Sequence, residues 1–296
     1  MTPEHDIPEQ SVAPLSEVSG ERPALRRIVD VWTHRALLVN LVRRDLRVRY
    51  KGSALGFLWS LLSPAMYLVV FSIVFKEFLR VDIPVFGVFL LSGLLAWNLF
   101  AGGLGSAAVS LTDNRALVQK VWFPREILPV ASVGAALVNL ALQGLVLIIG
   151  LAVFRHAPDL AAAWLLVPAL LVLVLFTIGL GLIVSALNVV LRDVQHLIEV
   201  TLTAWFWVSA IVYPYATVAN RLGEQEWLTT LNPMIPIVLT FQRVFYNPGP
   251  DPAVLLDVGP GWYLARLAVV GAFSVVLVFV GLAVFARREP DFGDQL

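Results

Sequence analysis

The sequence predicts an all-α polytopic membrane protein with six transmembrane helices, an N-terminal amphipathic interface helix and short external re-entrant helices before the last span. Three observations carry that reading. Only 14% of the 296 residues are charged and 58% are hydrophobic, with a mean hydropathy of +0.81, whereas soluble domains carry about a quarter charged residues. Several apolar runs exceed the roughly 18–20 residues needed to cross a bilayer. Finally, a dense basic stretch, Arg43, Arg44, Arg47, Arg49 and Lys51, switches abruptly at Gly52 to a run without charge until Lys76. Such a switch marks a segment that lies on a membrane face and then turns through it, and cations flanking a first span stay in the cytoplasm.

Taken in order, residues 1–23 are polar and lack the apolar core of a signal peptide, so they read as a disordered cytoplasmic tail. Residues 24–52 form the amphipathic interface helix. Leu25, Ile28, Val29 and Trp32, then Leu38, Leu41 and Val42, recur at helical spacing, and Arg44, Arg47 and Lys51 share one face. Residues 53–286 hold the six spans. The first, about 54–75, contains Pro64, a kink whose freed carbonyl a neighbouring helix can satisfy. Lys76, Glu77, Arg80, Asp82 and Pro84 then make a short external turn.

The second span, about 86–110, carries Gly93, Gly102, Gly103 and Gly105, which predict close packing on a neighbour. Residues 112–125 read as a short cytoplasmic helix capped by Thr112 or Asp113 and ended by Pro124. The third and fourth spans cover about 127–154 and 163–190, and the fifth about 197–213, with Glu199, Trp205 and Trp207. Within the external segment 214–262, the 13-residue stretch Pro233–Phe245 is too short to span, and reads as a re-entrant or interfacial helix pair broken by Pro233 and Pro236. The last span, about 263–286, precedes a cytoplasmic tail, 287–296. With this topology fifteen of the 21 Lys and Arg fall on the cytoplasmic side and six outside, which places both termini in the cytoplasm.

The formal net charge is zero, so no bulk basic balance points to nucleic acid, and no cysteine is present for disulfides, thiolate metal sites or nucleophiles. Four scattered histidines make no metal cluster. The chain has no G-x-x-x-x-G-K-[ST] phosphate cradle and no H-E-x-x-H or G-x-S-x-G, so ATP hydrolysis and hydrolase chemistry have no motif here. Ionisable residues occur only at span ends (Glu126, Glu199, Arg266), which argues against ion-coupled transport. The residues left to line a path are aromatic or amide-bearing: Trp59, Tyr67, Trp97, Asn98, Phe100, Asn139, Gln143, Asn188, Trp205 and Trp207. Aromatic faces stack on sugar faces and amides match hydroxyls, so such a lining suits a neutral carbohydrate; alternatively, these side chains are interface-belt or packing residues.

Four stretches, RRDLRVRYKGSALGFLWSLLSPAMYLVVFSIVF, KVWFPREILPVASV, LRDV and NPMIPIVLTFQRVFY, occur in a fixed order. Together they resemble the permease subunit of type-2 ABC exporters for polysaccharides, the O-antigen, teichoic acid and capsule group, across residues 25–296. The Ala/Val/Leu/Arg-rich composition is similar to that of actinobacterial members that export lipid-linked galactan. The resemblance implies a homodimer of six-span subunits in the cytoplasmic (inner) membrane, paired with two copies of a separate ATPase. ATP and magnesium would bind that partner, and this chain would bind no cofactor or metal. The substrate would be a polyprenyl-pyrophosphate-linked glycan. A coupling helix would map onto 112–125, with Asp113, Arg115, Lys120, Trp122, Phe123 and Arg125 as ATPase-coupling residues. The Arg43–Lys51 stretch would act as a gate whose cations attract the pyrophosphate, or as a simple membrane anchor. Two other readings stand beside this one: a drug or lipid exporter of the same fold, and a membrane-embedded transferase built on Asp193, His196 and Glu199.

Overall fold

The computed structural model describes residues 23–50, 58–78, 83–247 and 254–295. The polar tail 1–22, Lys51, Arg80 and Asp82 lie outside them, as do the side chains of Arg49, Lys76 and Glu77. Every regular element among the described residues is helical, as expected from a chain whose backbone must close its own hydrogen bonds in hydrocarbon.

Four helices are long and apolar enough to cross a membrane: α4 (Phe86–Asp113), α6 (Ile127–Val153), α7 (Leu166–Val190, entered through a 3-10 turn at Ala163–Leu165) and α11 (Pro260–Arg288). The central one is α4: 78% of its most apolar window is buried, against 28% for α6 and for α11. It packs on α6, α7, α3 (Leu58–Ile73) and α10 (Met234–Phe245). Helix α3 is shorter than the expected first span. Its 16 residues continue into a five-residue π-helical turn, Val74–Phe78, which together reach about 30 Å at about 1.5 Å per residue. Pro64 is buried inside α3, and Phe75 stacks on Phe86 at 3.8 Å to anchor its far end.

The glycines of the second span divide in two. Gly93 faces Gln242 and Gly103 faces Thr177, as close packing requires, but a Cβ on Gly102 or Gly105 would meet nothing within 4 Å. A tight approach also joins α7 and α11. A Cβ on Gly281 would lie 2.8 Å from the Gly179 carbonyl oxygen, and one on Gly179 would lie 3.0 Å from the backbone of Leu277 and Val278.

The fifth span differs from expectation. Helix α8 (Val194–Trp207) stops after 14 residues, and the chain turns through Ala210, which takes a positive φ of 51°. The freed backbone groups are paired by side chains from the next segment. Asn232 donates to the Val208 carbonyl (3.0 Å) and accepts from the Trp205 indole (2.8 Å), while the buried Gln242 amide approaches the Ala210 and Ile211 carbonyls at 3.4 Å. Irregular backbone at this depth is tolerated only when buried in protein and satisfied in this way. The segment that follows, α9 (Tyr215–Leu222) and a 3-10 helix at Gly223–Leu231, leads into α10. Pro236 does not break α10, because a first-turn N–H has no intrahelical partner to lose. Nearly all of α10 is buried against α4 and α7, so it is an inserted core helix and not an interfacial one.

At one end, called basal here, the amphipathic stretch forms two helices, α1 (Ala24–Thr33) and α2 (Arg35–Tyr50). Helix α2 lies along the start of α6, with Val42 against Gly134. Glycine placement gives the sharpest test of the packing. Gly281→Val should force α7 and α11 apart and cost about 1–3 kcal/mol, whereas Gly102→Ala should be neutral or stabilising by up to about 1 kcal/mol. Thermal unfolding in detergent would check both; equal destabilisation would contradict the assigned faces.

A polar groove and a charged basal cluster as the candidate functional site

Residues at helical spacing on α4 (Asn98, Gly102, Ser106, Val109, Ser110, Asp113) and on α6 (Ser132, Ala135, Ala136, Asn139, Gln143) line one continuous groove. Its inner part, a cavity of about 210 Å³, is completed by Trp59, Ser63, Pro64 and Tyr67 of α3. Its basal part, about 560 Å³, is completed by Arg44, Asp45 and Val48 of α2 and by Asn114. Ser132 borders both parts, which adjoin there.

The groove is polar where a bilayer is least so. Asn98 and Asn139 sit midway along α4 and α6, and Asn98 donates to Gln143 Oε1 at 2.8 Å. The Asn139 Oδ1 atom is buried with no hydrogen-bond partner among the described residues. An unpaired amide oxygen in an apolar interior costs free energy, so this site favours water or a hydroxyl-bearing ligand. Gly102 leaves the α4 wall without a side chain there.

Of the expected lining residues, Trp59, Tyr67 and Asn98 stand on this groove together with Asn139 and Gln143. Trp97, Phe100 and Trp205 do not. They form a core cluster with Phe176 and Phe206 at ring separations of 5.1–6.0 Å, and Phe100 is fully buried. Trp207 points outward beside Phe206. Asn188 accepts from the Gln195 N–H and so serves the start of α8. The small-polar stripe of Gly102, Ser106, Ser110 and Ser132 went unread in the sequence, although its i, i+4, i+8 recurrence on α4 is a usable signal.

The connection between α4 and α6 is shorter in helix than expected. Helix α4 runs on to Asp113, so Thr112 bonds back to the Val109 carbonyl and caps nothing, and α5 (Arg115–Lys120) is only six residues long. Asp113, Arg115, Lys120 and Trp122 are exposed at the basal surface, Trp122 by 53%. Phe123 turns inward to the basal core, and Arg125 turns to the C-terminal segment, donating to the Glu289 carbonyl (3.0 Å) and lying 5.8 Å over the Phe292 ring. On α2, Arg43, Arg44 and Arg47 are exposed, and Arg44 pairs with Asp45 at 2.9 Å. His196 and Glu199 lie 3.7 Å apart on the exposed face of α8 with Asp193 nearby in sequence, open to solvent and away from the groove. No group of three or more metal-ligating side chains occurs among the described residues.

One basal feature escaped sequence reasoning. Arg27 of α1 is buried and pairs through one Nη with Glu126, at the start of α6, and through the other with Glu289, 2.9 Å away. Burial alone would lower the Arg27 pKa, but the two carboxylates more than reverse this and the guanidinium stays charged. Burial pushes the Glu126 carboxyl up, while its own backbone N–H and Arg27 pull it down. Removing Arg27 would strand two buried carboxylates at a cost of about 3–5 kcal/mol. Sequence separations of 99 and 262 residues hide this cluster from any local pattern.

With this geometry in place, comparison with known proteins is informative. Residues 36–246 match the ABC-2 type transporter family. The chain is 33% identical over 276 residues to the O-antigen export system permease protein RfbA of Myxococcus xanthus, covering 92% of this chain and 100% of that one. It is 28% identical to the RfbA permease of Klebsiella pneumoniae, covering 88% and 95%. It is 25% identical to the polysialic acid transport protein KpsM of Escherichia coli, covering 84% and 92%. The chain belongs to the ABC-2 type transporter family.

The absence of native cysteine makes the groove directly testable. A cysteine replacing Gly102 or Asn139 should react with a hydrophilic thiol reagent in membranes, and one replacing Phe100 should not. Equal reactivity at all three positions would contradict a hydrated groove.

Proposed function

We propose that this chain is the transmembrane subunit of an ATP-driven exporter that moves a lipid-linked polysaccharide across the cytoplasmic membrane. The observation that carries the reading is the groove: a mid-membrane track of amides, serines and bare glycine backbone, open along one side. A buried acceptor at Asn139 and the Asn98–Gln143 amide pair match sugar hydroxyls, and the exposed faces of Trp59 and Tyr67 suit stacking on sugar rings. The named relatives are permeases of O-antigen export and a polysialic acid transport protein, which supports a polysaccharide as the substrate class.

In this reading the chain crosses the membrane six times, through α3, α4, α6, α7, α8 with the turn after it, and α11. Both termini and the α4–α6 connection are cytoplasmic. A second copy closes the open side of the groove, and the apolar faces exposed on α3, α6 and α11 meet that copy or lipid. Arg43, Arg44, Arg47, Arg49 and Lys51 draw the pyrophosphate headgroup to the groove's basal mouth by charge-assisted contacts. The inserted α10 and its flanking turns close the external end.

The chain is a transport subunit, and ATP hydrolysis belongs to a separate subunit, which carries ATP and magnesium. The groups exposed at the connection, Arg115, Lys120 and Trp122, are the surface on which that subunit docks. An exposed tryptophan flanked by cations is the residue type that dominates protein interfaces. Trp122→Ala and Lys120→Ala should therefore leave the permease folded but reduce co-purification of the ATPase by at least about tenfold for Trp122. Failure of any ATP-hydrolysing partner to accompany the unaltered protein in repeated native preparations would sink the exporter reading.

A further inference from the structure

Helix α1 is attached to the body in an unusual way. Its buried residue is a charged one, Arg27, while Leu25, Val29 and Trp32 are 67%, 59% and 70% exposed. Attachment alone would be met as well by apolar side chains, since buried ion clusters are commonly no more stabilising than hydrophobic replacements of the same shape. What the cluster adds is direction. A guanidinium is a planar fork whose two ends can hold two carboxylates at once, and here they come from two separate chain segments.

We propose that Arg27 is a positioning residue that joins the ATPase-facing segment 121–126, the α1–α2 pair and the C-terminal segment, so that the three shift together during transport. The proposal rests on the reading above that this segment meets an ATPase. Glu126 directly follows Arg125, and Arg125 itself holds the Glu289 carbonyl and the Phe292 ring. A push delivered at Trp122 thus reaches the start of α6, Arg27 and the end of α11 through one buried cluster. From Arg27 the link runs along α1 into α2, which lies on α6 and carries Arg44 at the mouth of the groove. The same motion that moves a groove wall therefore moves the cations at its entrance.

Spin labels on Val29→Cys and Val121→Cys, both exposed positions in a cysteine-free chain, read the joint directly. In the otherwise unaltered permease in lipid discs, without any ATPase, their distance distribution should be single and narrow. In Arg27→Met it should broaden. In the assembled complex, Arg27→Met should keep ATP hydrolysis within about twofold and lower glycan exported per ATP by about tenfold or more. Arg27→Lys, whose point charge cannot serve two carboxylates in the same geometry, should fall between. Should Arg27→Met fail to fold, Arg27→Met/Glu126→Gln/Glu289→Gln removes the stranded charges and carries the same two readouts. An unchanged narrow distribution, or hydrolysis and export falling in parallel, would overturn the proposal. Absence of any ATPase from the unaltered complex would overturn the exporter reading with it, whereas a recruited ATPase with normal coupling in Arg27→Met would overturn this role alone.

Discussion

No backbone N–H or carbonyl in this chain can be left to hydrocarbon, and the architecture follows from that constraint. It explains why the described elements are all helical. It also explains how α8 can stop short of a full span. The carbonyls freed at Val208, Ala210 and Ile211 meet Asn232 and Gln242, side chains from α10 and the turn before it. Without those two amides the break would have no partner, and α10 could not insert where it does. The short helix and the inserted helix are thus one device, and they complete the core around α4.

The groove uses the same constraint in reverse. Along α4 and α6 the sequence places amides and hydroxyls in the membrane interior, and the structure leaves one side of them open. Such side chains are costly where nothing polar meets them. Their recurrence on facing helix stripes gives a continuous polar lane in an otherwise apolar bundle. The basal cations stand at one end of that lane, and the exposed α4–α6 connection stands beside them. The polar lane, the cations and the exposed connection are therefore contiguous at the basal end.

Much of this was legible beforehand because it depends on local composition. The apolar runs and the short loops gave the four long helices close to their observed limits, and Trp59, Tyr67 and Asn98 stand on the groove. The failures share one cause. Trp97, Phe100 and Trp205 have the same composition signal as lining aromatics, yet face Phe176 and Phe206 in the core. Which face of an apolar helix meets a neighbour is weakly encoded, since nearly every face of it is hydrophobic. Likewise Gly102 and Gly105 look like Gly93 and Gly103, but only the latter pair touches another helix.

The sequence by itself determined that the chain lives in a membrane, where its four longest helices begin and end, and which connection carries exposed cations and a tryptophan. These follow from hydropathy, charge and proline placement, which act over a few residues. Only the tertiary structure decided that Gly179 and Gly281 meet where α7 crosses α11, that Asn232 and Gln242 close the break after α8, and that Arg27 meets Glu126 and Glu289. Each of these is a pairing between groups distant in sequence. A buried amide or charge states only that it needs a partner; the packing of helices determines which partner it finds.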